Sequence, residues 1–292
     1  MNIKKWIELN SDDLCDKTAV ITGATGGLGK QLCLYLAGLN ANLVLACRNQ
    51  NKTENLIKEI KSFYPNCKID YIALDLENMD NVKLTVEKLK TTNFDFLIHN
   101  SGIYNVSRKT TTSGIDNIFQ VNFVAPYYIT KELLPHMRHN KAKVIAVGSI
   151  AHNYSKIDEN DIEFKTRKKS SKVYGNSKRF FMFALYELFK KETNAKLAIV
   201  HPGVTLTNIT NHYHKSINWL VKLGMKIFFP NTKKATLHLL KGVFENSNYL
   251  EWFGPTIFSV WGKPKKRLLK TTSKKECEKI FEIAENYYNK LK

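Results

Sequence analysis

The sequence predicts one α/β domain, a doubly wound parallel sheet of about seven strands covered by helices on both faces. Short apolar strands alternate with helical patterns from about residue 17 to residue 201, the signature of a parallel sheet buried on both sides. A glycine-rich turn, Thr22-Gly23-Ala24-Thr25-Gly26-Gly27-Leu28-Gly29, lies between the first strand and the first helix. No low-complexity linker or internal repeat divides the 292 residues, so residues 1–292 read as one domain.

Taken in order, the first strand is the β-branched run Thr18-Ala19-Val20-Ile21, and Lys30 to Leu36 reads as the helix after the turn. Strand, glycine-rich turn and helix opening are the context that a dinucleotide site requires. Glycines let the backbone approach a pyrophosphate, whose charge is met by free N–H groups at the helix N-terminus. Glycines at 23, 26, 27 and 29 fit both a TGxxxGxG and a TGxxGxxG spacing. Further strands are expected at about 42–47, 68–73, 94–98, 143–149 and 196–200, with a seventh near 249–253. Pro126 lies four positions after Asn122 and has no N–H, so the helix cannot bond back to the Asn122 carbonyl and a kink is expected there. Residues 207–230 break the alternation with Trp219, Met225, Phe228 and Phe229 beside Lys215, Lys222 and Lys226. Residues 273–291 read as an amphipathic helix on the outside.

Tyr174 and Lys178 are spaced by about one helical turn, which places them on one face. A phenol beside an ammonium loses its proton more easily, because the positive charge favours the phenolate. Such a tyrosine can serve as an acid or base near neutrality.

Composition narrows the function. The net charge of +19 suits anionic ligands or an anionic membrane face, but the lysines are dispersed and no nucleic-acid motif accompanies them. Nucleic acid is therefore not an expected partner. The cysteines at 15, 33, 47, 67 and 277 show no CxxC and no metal spacing, and neither do the histidines. No metal is expected. With no apolar leader after Met1 and no run long enough to span a membrane, a cytoplasmic protein is expected.

With these motifs in order, the chain resembles the short-chain dehydrogenase/reductase family over nearly its whole length. His99-Asn100-Ser101-Gly102 looks like the family's NNAG motif with its first and third positions altered. Asn122 matches the helix asparagine, Ser149 follows the strand 143–147 where a catalytic serine is expected, and His201-Pro202-Gly203 precedes Thr207. The resemblance implies a Rossmann-type fold and hydride transfer between a nicotinamide cofactor and a carbonyl or alcohol carbon. In that reading Ser149 polarises the substrate oxygen and Tyr174 is the general acid/base. Lys178 lowers the tyrosine pKa and holds the nicotinamide ribose, and Asn122 supports a proton relay. Cofactor contacts are implied at Thr22, Gly23, Gly27, Leu28 and Gly29, at Asp75, Asn100 and Gly102, and at Pro202, Gly203 and Thr207. Tyr174 and Lys178 are implied to contact the cofactor as well.

NAD-specific members place an acidic residue at the end of the second strand, to bond the ribose 2′-hydroxyl. Here that stretch reads Ala46-Cys47-Arg48. A guanidinium suits a 2′-phosphate, so NADP(H) is expected over NAD(H). The end of the chain at 292 and the lack of that acid point to the compact, single-domain branch. Ser149 and Tyr174 are 25 positions apart, separated by a polar insertion at 152–173. That spacing, the Ala46-Cys47-Arg48-Asn49 and Ile150-Ala151-His152 signatures and the Trp252-Phe253-Gly254-Pro255 tail with Trp261-Gly262-Lys263-Pro264 resemble the retinol-dehydrogenase-like and protochlorophyllide-reductase-like group. In the family, residues 207–230 correspond to a lid, whose composition here suits an apolar substrate or a peripheral membrane contact. Helices 115–137 and 173–191 occupy positions where many relatives form homodimers. A catalytically silent, NADPH-binding regulator and a membrane-surface protein on the same fold are the alternatives.

Overall fold

The computed structural model describes residues 2–203, 231–257, 259–269 and 271–292. The expected lid at 207–230, and with it Thr207, lies outside the described residues. The strands are β1 (Thr18–Thr22), β2 (Asn42–Cys47), β3 (Ile69–Ala73), β4 (Phe96–His99), β5 (Lys143–Val147), β6 (Lys196–Val200), β7 (Glu251–Ile257) and β8 (Trp261–Leu268). They form one sheet in the order β3-β2-β1-β4-β5-β6-β7-β8. The pairings from β3 through to β7 are parallel, and β8 alone runs antiparallel, against β7.

The helices are α1 (Ile3–Asn10), α2 (Gly27–Gly38), α3 (Gln50–Phe63), α4 (Met79–Lys90), α5 (Asn117–Phe119), α6 (Ala125–Asn140), α7 (Ser170–Phe189), α8 (Thr232–Phe244) and α9 (Lys274–Leu291). Two apolar clusters fill the two faces of the sheet. One joins Val20, Val44, Leu97, Val144 and Leu197 to α4, α6, α7 and α9. The other joins Ile21, Leu45, Ile98, Ile145 and Ala198 to α2, α3 and α8. Neighbouring strand residues point to opposite faces, so near-continuous apolar runs such as Val144–Val147 serve both clusters.

The sheet has eight strands where about seven were expected. Residues 261–268 read as a tail because Lys263, Pro264, Lys265, Lys266 and Arg267 interrupt any apolar pattern. As the outermost strand, β8 pairs only with β7, and its Lys263, Lys265 and Lys266 are exposed. Lysine and proline are suited to a sheet edge, where they oppose pairing with a further chain. The expected fifth strand also stops earlier, at Val147, leaving Gly148 and Ser149 as the turn that follows it.

The kink at Pro126 takes a definite form. Asp116 caps α5 by accepting from the N–H groups of Ile118 and Phe119. The chain then widens into a π-helical turn over Gln120–Val124, in which the Ala125 N–H bonds the Gln120 carbonyl. Helix α6 follows with Pro126 in its first turn. A proline ring without a donor is tolerated in a first turn and disrupts the ladder before it.

The insertion folds against the flank of the domain. Phe164 is buried with Ile118 and Val173, packed by Ile103 and Val106. Arg108 donates to the Phe164 and Arg167 carbonyls at 2.8 and 3.0 Å and pairs with Asp116 at 2.7 Å. Helix α9 lies across α6 and α7, where Tyr288 bonds Glu132 at 2.6 Å and Lys131 pairs with Glu285 at 2.8 Å. The helices considered for a dimer contact are thus packed by the chain's own C-terminal helix. Among the described residues, no helix is long and apolar enough to cross a membrane.

Candidate active site

A cleft of about 360 Å³ opens at the carboxyl ends of β1, β2, β3 and β4. Crevices in open α/β sheets lie at this end of the strands, where the strand order reverses on either side of β1. Gly23, Gly27 and Leu28 line it, with Arg48, Asp75, Asn100 and Gly102. Gly26 caps α2 without a side-chain bond, which leaves first-turn N–H groups available to a ligand. Gly29 has a packing role. A Cβ there would meet the Gly23 carbonyl at 2.5 Å, Asn100 Nδ2 at 2.7 Å and Ala24 Cα at 2.8 Å, so no larger residue fits.

Thr22 and Asn100 tie β1 to β4. The Asn100 amide donates to the Thr22 and Gly23 carbonyls at 3.2 and 3.0 Å, and the Thr22 hydroxyl accepts from the Asn100 and Ser101 N–H groups, both at 3.1 Å. The altered NNAG positions divide in role. Ser101 lies against Gly23 and lines the cleft. His99 instead points into the core, with Nε2 at 2.8 Å from the Thr130 hydroxyl and its ring edge-on to Phe181. Burial, and then the nearby Lys178, lower its pKa to about 3. Asp75 also has a local task, since its carboxylate accepts from the Glu77 N–H at 3.0 Å while Asn78 caps α4.

Ser149, Tyr174, Lys178 and Asn122 come together beside this cleft. Ser149 caps a 3-10 turn over Ile150–Tyr154, which packs on α7 at the turn carrying Tyr174. Burial pushes the Tyr174 phenol up to about 12, a side-chain hydrogen bond with Ser149 holds it down, and the neighbouring Tyr104 raises it. The Lys178 ammonium donates to the Val147 carbonyl at 2.9 Å and lies 5.9 Å from the Tyr174 ring centroid. Its own pKa is lowered to about 8, by burial. The ammonium thus faces a backbone carbonyl, while Ser149 is the group that opposes the rise of the tyrosine.

Asn122 is held at both ends of its side-chain amide. Its Nδ2 donates to the Ile103 carbonyl at 2.9 Å and to Ser177 Oγ at 3.0 Å, while its Oδ1 accepts from the Ile103 N–H at 2.8 Å. The side chain is occupied in holding the loop after β4, and a Cβ on Gly102 would lie 3.2 Å from its Oδ1 and 3.5 Å from Lys178 Nζ. Pro202 and Gly203 follow β6, where the His201 N–H bonds the Phe253 carbonyl at 2.7 Å.

The profile of the family described as short chain dehydrogenase matches residues 17–218. The chain belongs to the short-chain dehydrogenases/reductases. It is 31% identical to mouse retinol dehydrogenase 12 over 225 residues, 75% of this chain and 70% of that protein. It is also 31% identical to human retinol dehydrogenase 13 over 202 residues, 67% of this chain but only 61% of that protein's length. These likenesses place it in the retinol dehydrogenase-like group of this oxidoreductase family. Among solved structures, an uncharacterised protein from Mycobacterium paratuberculosis superimposes with a TM-score of 0.77 at 21% identity, covering 95% of both chains.

Several residues of this short-chain dehydrogenase site were not singled out from sequence. Lys52, on α3, lines the cleft beside Arg48. Glu77 lines it too, 4.0 Å from Arg48 and 2.5 Å from Lys109. Tyr104 meets Tyr174 edge-on, with ring centroids 5.2 Å apart. Lys52 is one of several lysines on α3, and the Tyr104 contact needs the loop after β4 to meet α7.

Proposed function

We propose that this protein is an NADP(H)-dependent oxidoreductase that interconverts an apolar carbonyl compound and its alcohol. The observation that carries this reading is the meeting of Ser149, Tyr174 and Lys178 beside the glycine-rich cleft, next to Gly102. The cleft suits a dinucleotide: the open turn before α2 offers N–H groups to the pyrophosphate, and Arg48 and Lys52 offer cations to a 2′-phosphate. Asp75 would serve the adenosine side, and Gly102 and Lys178 the nicotinamide ribose. The cofactor, when bound, supplies the hydride chemistry.

The chain's own residues would orient the substrate and move the proton. Ser149 would donate to the substrate oxygen and stabilise charge developing there. Tyr174 would give its phenolic proton to that oxygen in reduction and take it back in oxidation. A phenol raised to about 12 stays protonated at neutral pH, which suits the acid role. Retinol, in the names of the relatives, is an apolar alcohol and supports the substrate class.

The test is NADPH oxidation with a panel of apolar aldehydes and ketones, retinaldehyde among them, by wild type and Tyr174→Phe. Wild type is expected to turn over at least one of them. Tyr174→Phe should lose activity by at least about 100-fold while still binding NADPH. Full activity in that variant would refute the assignment.

A further inference from the structure

We propose that His152, Arg179 and Glu276 are positioning residues that hold Ser149 in register with Tyr174, so that the C-terminal helix α9 helps set the catalytic geometry. The proposal rests on the reading of Ser149 and Tyr174 given above.

The chain of bonds is continuous. His152 is fully buried, and its Nδ1 lies 2.6 Å from the carbonyl oxygen of Ser149. A carbonyl can only accept, so Nδ1 carries the proton, and Nε2 becomes the acceptor for the Thr271 hydroxyl at 3.0 Å. Burial holds the ring neutral, with its pKa lowered to about 4, consistent with that single tautomer. The ring is gripped edge-on by Trp252 and Phe183, at 5.5 and 5.9 Å.

Arg179, next to Lys178 and 1% exposed, closes the ring of contacts. It donates to the His152 carbonyl at 3.1 Å and to the Thr271 carbonyl at 2.8 Å. Its remaining donors meet Glu276 on α9 in a two-pronged pair, at 2.7 and 2.6 Å. A buried ion pair is an expensive way to fill a core. Here the bonds of the guanidinium go to the serine turn, to the segment entering α9 and to α9 itself. The turn itself rests on α7 so closely that a Cβ on Gly175 would overlap the Ala151 carbonyl. The turn bearing Ser149 is thus clamped to the helix bearing Tyr174 from both sides.

Displacement of a catalytic group by about 1 Å costs up to about 100-fold in rate. The experiment compares His152→Leu, His152→Asn and Glu276→Gln, each with Ser149 present and with Ser149→Ala. NADPH oxidation is measured with the best carbonyl compound of the panel, and NADPH affinity by fluorescence titration. Leucine and Glu276→Gln are expected to lower kcat about tenfold or more with NADPH affinity unchanged. Asparagine, whose Nδ2 can replace Nδ1 towards the Ser149 carbonyl, should recover most of kcat. On Ser149→Ala the same substitutions should cost less than about twofold, because residues acting through one group are not additive. Equal losses with and without Ser149, or an asparagine variant as poor as leucine, would overturn the proposal. If His152→Leu does not fold, Glu276→Gln gives the same comparison. A Ser149→Ala protein with full activity would instead refute the site reading itself.

Discussion

Removal of the Arg48 guanidinium should separate the two nicotinamide cofactors. Arg48 lies at the rim of the cleft with its side chain 69% exposed, and its nearest acid is Glu77, at 4.0 Å. An exposed pair at that distance contributes about 0–1 kcal/mol, so little opposes a switch of partner to a 2′-phosphate. A charge-assisted bond to phosphate contributes about 1.5–3 kcal/mol, and exposure to solvent puts this one in the lower half of that range. A loss of about 2 kcal/mol corresponds to about 30-fold weaker binding of NADPH in Arg48→Ala. NADH has no 2′-phosphate and should lose less than about twofold. Titration of nicotinamide fluorescence with each cofactor reads both numbers on the same protein. Added salt should weaken NADPH binding more in wild type than in the variant, because an exposed charge pair is screened. Equal losses for NADPH and NADH, or none for either, would refute the role given to Arg48.

Other substitutions report on the scaffold. Gly29→Ala forces a Cβ against the Gly23 carbonyl and Asn100; it should cost about 1–3 kcal/mol in urea unfolding and abolish cofactor binding. Asn122→Ala removes three hydrogen bonds to Ile103 and Ser177, and a loss of about 3 kcal/mol with a large fall in kcat is expected. Buried His99, His152, His201 and His238 have pKa values lowered to about 3, 4, 3 and 4 respectively, in each case mainly by burial. The unfolded chain therefore binds more protons between about pH 4 and 6.5, and stability should drop as the pH is lowered through that window, by about 2 kcal/mol per histidine at pH 5. A urea midpoint unchanged between pH 7 and pH 5 would show that the rings are not kept neutral.

The elements that could be read from sequence are those specified by local chemistry. β1, the glycine-rich turn and α2 follow from a β-branched run, glycines and a helical pattern, each needing only its neighbours. Pro126 marked a helix distortion because a missing N–H is a local fact, although only the structure showed a π-helical turn. β8 was missed because its residues satisfy an edge through backbone pairing with β7, which its side chains do not announce. Arg48 was legible because it directly follows β2. Lys52 was less so, because nothing in its own helix distinguishes it from other surface lysines.

The sequence by itself determined the doubly wound fold and the glycine-rich turn before α2, and it singled out Ser149, Tyr174, Lys178 and Asn122 as candidates. Tertiary structure decided how those groups behave. It turned Lys178 towards Val147, gave the Asn122 side chain to Ile103, sent His99 into the core and brought Tyr104 onto Tyr174. It also joined Arg179 to His152 and to Glu276, 97 positions further on. Desolvation and hydrogen-bond partnership depend on which distant segments meet, and those meetings are properties of the packed chain and not of any window along it.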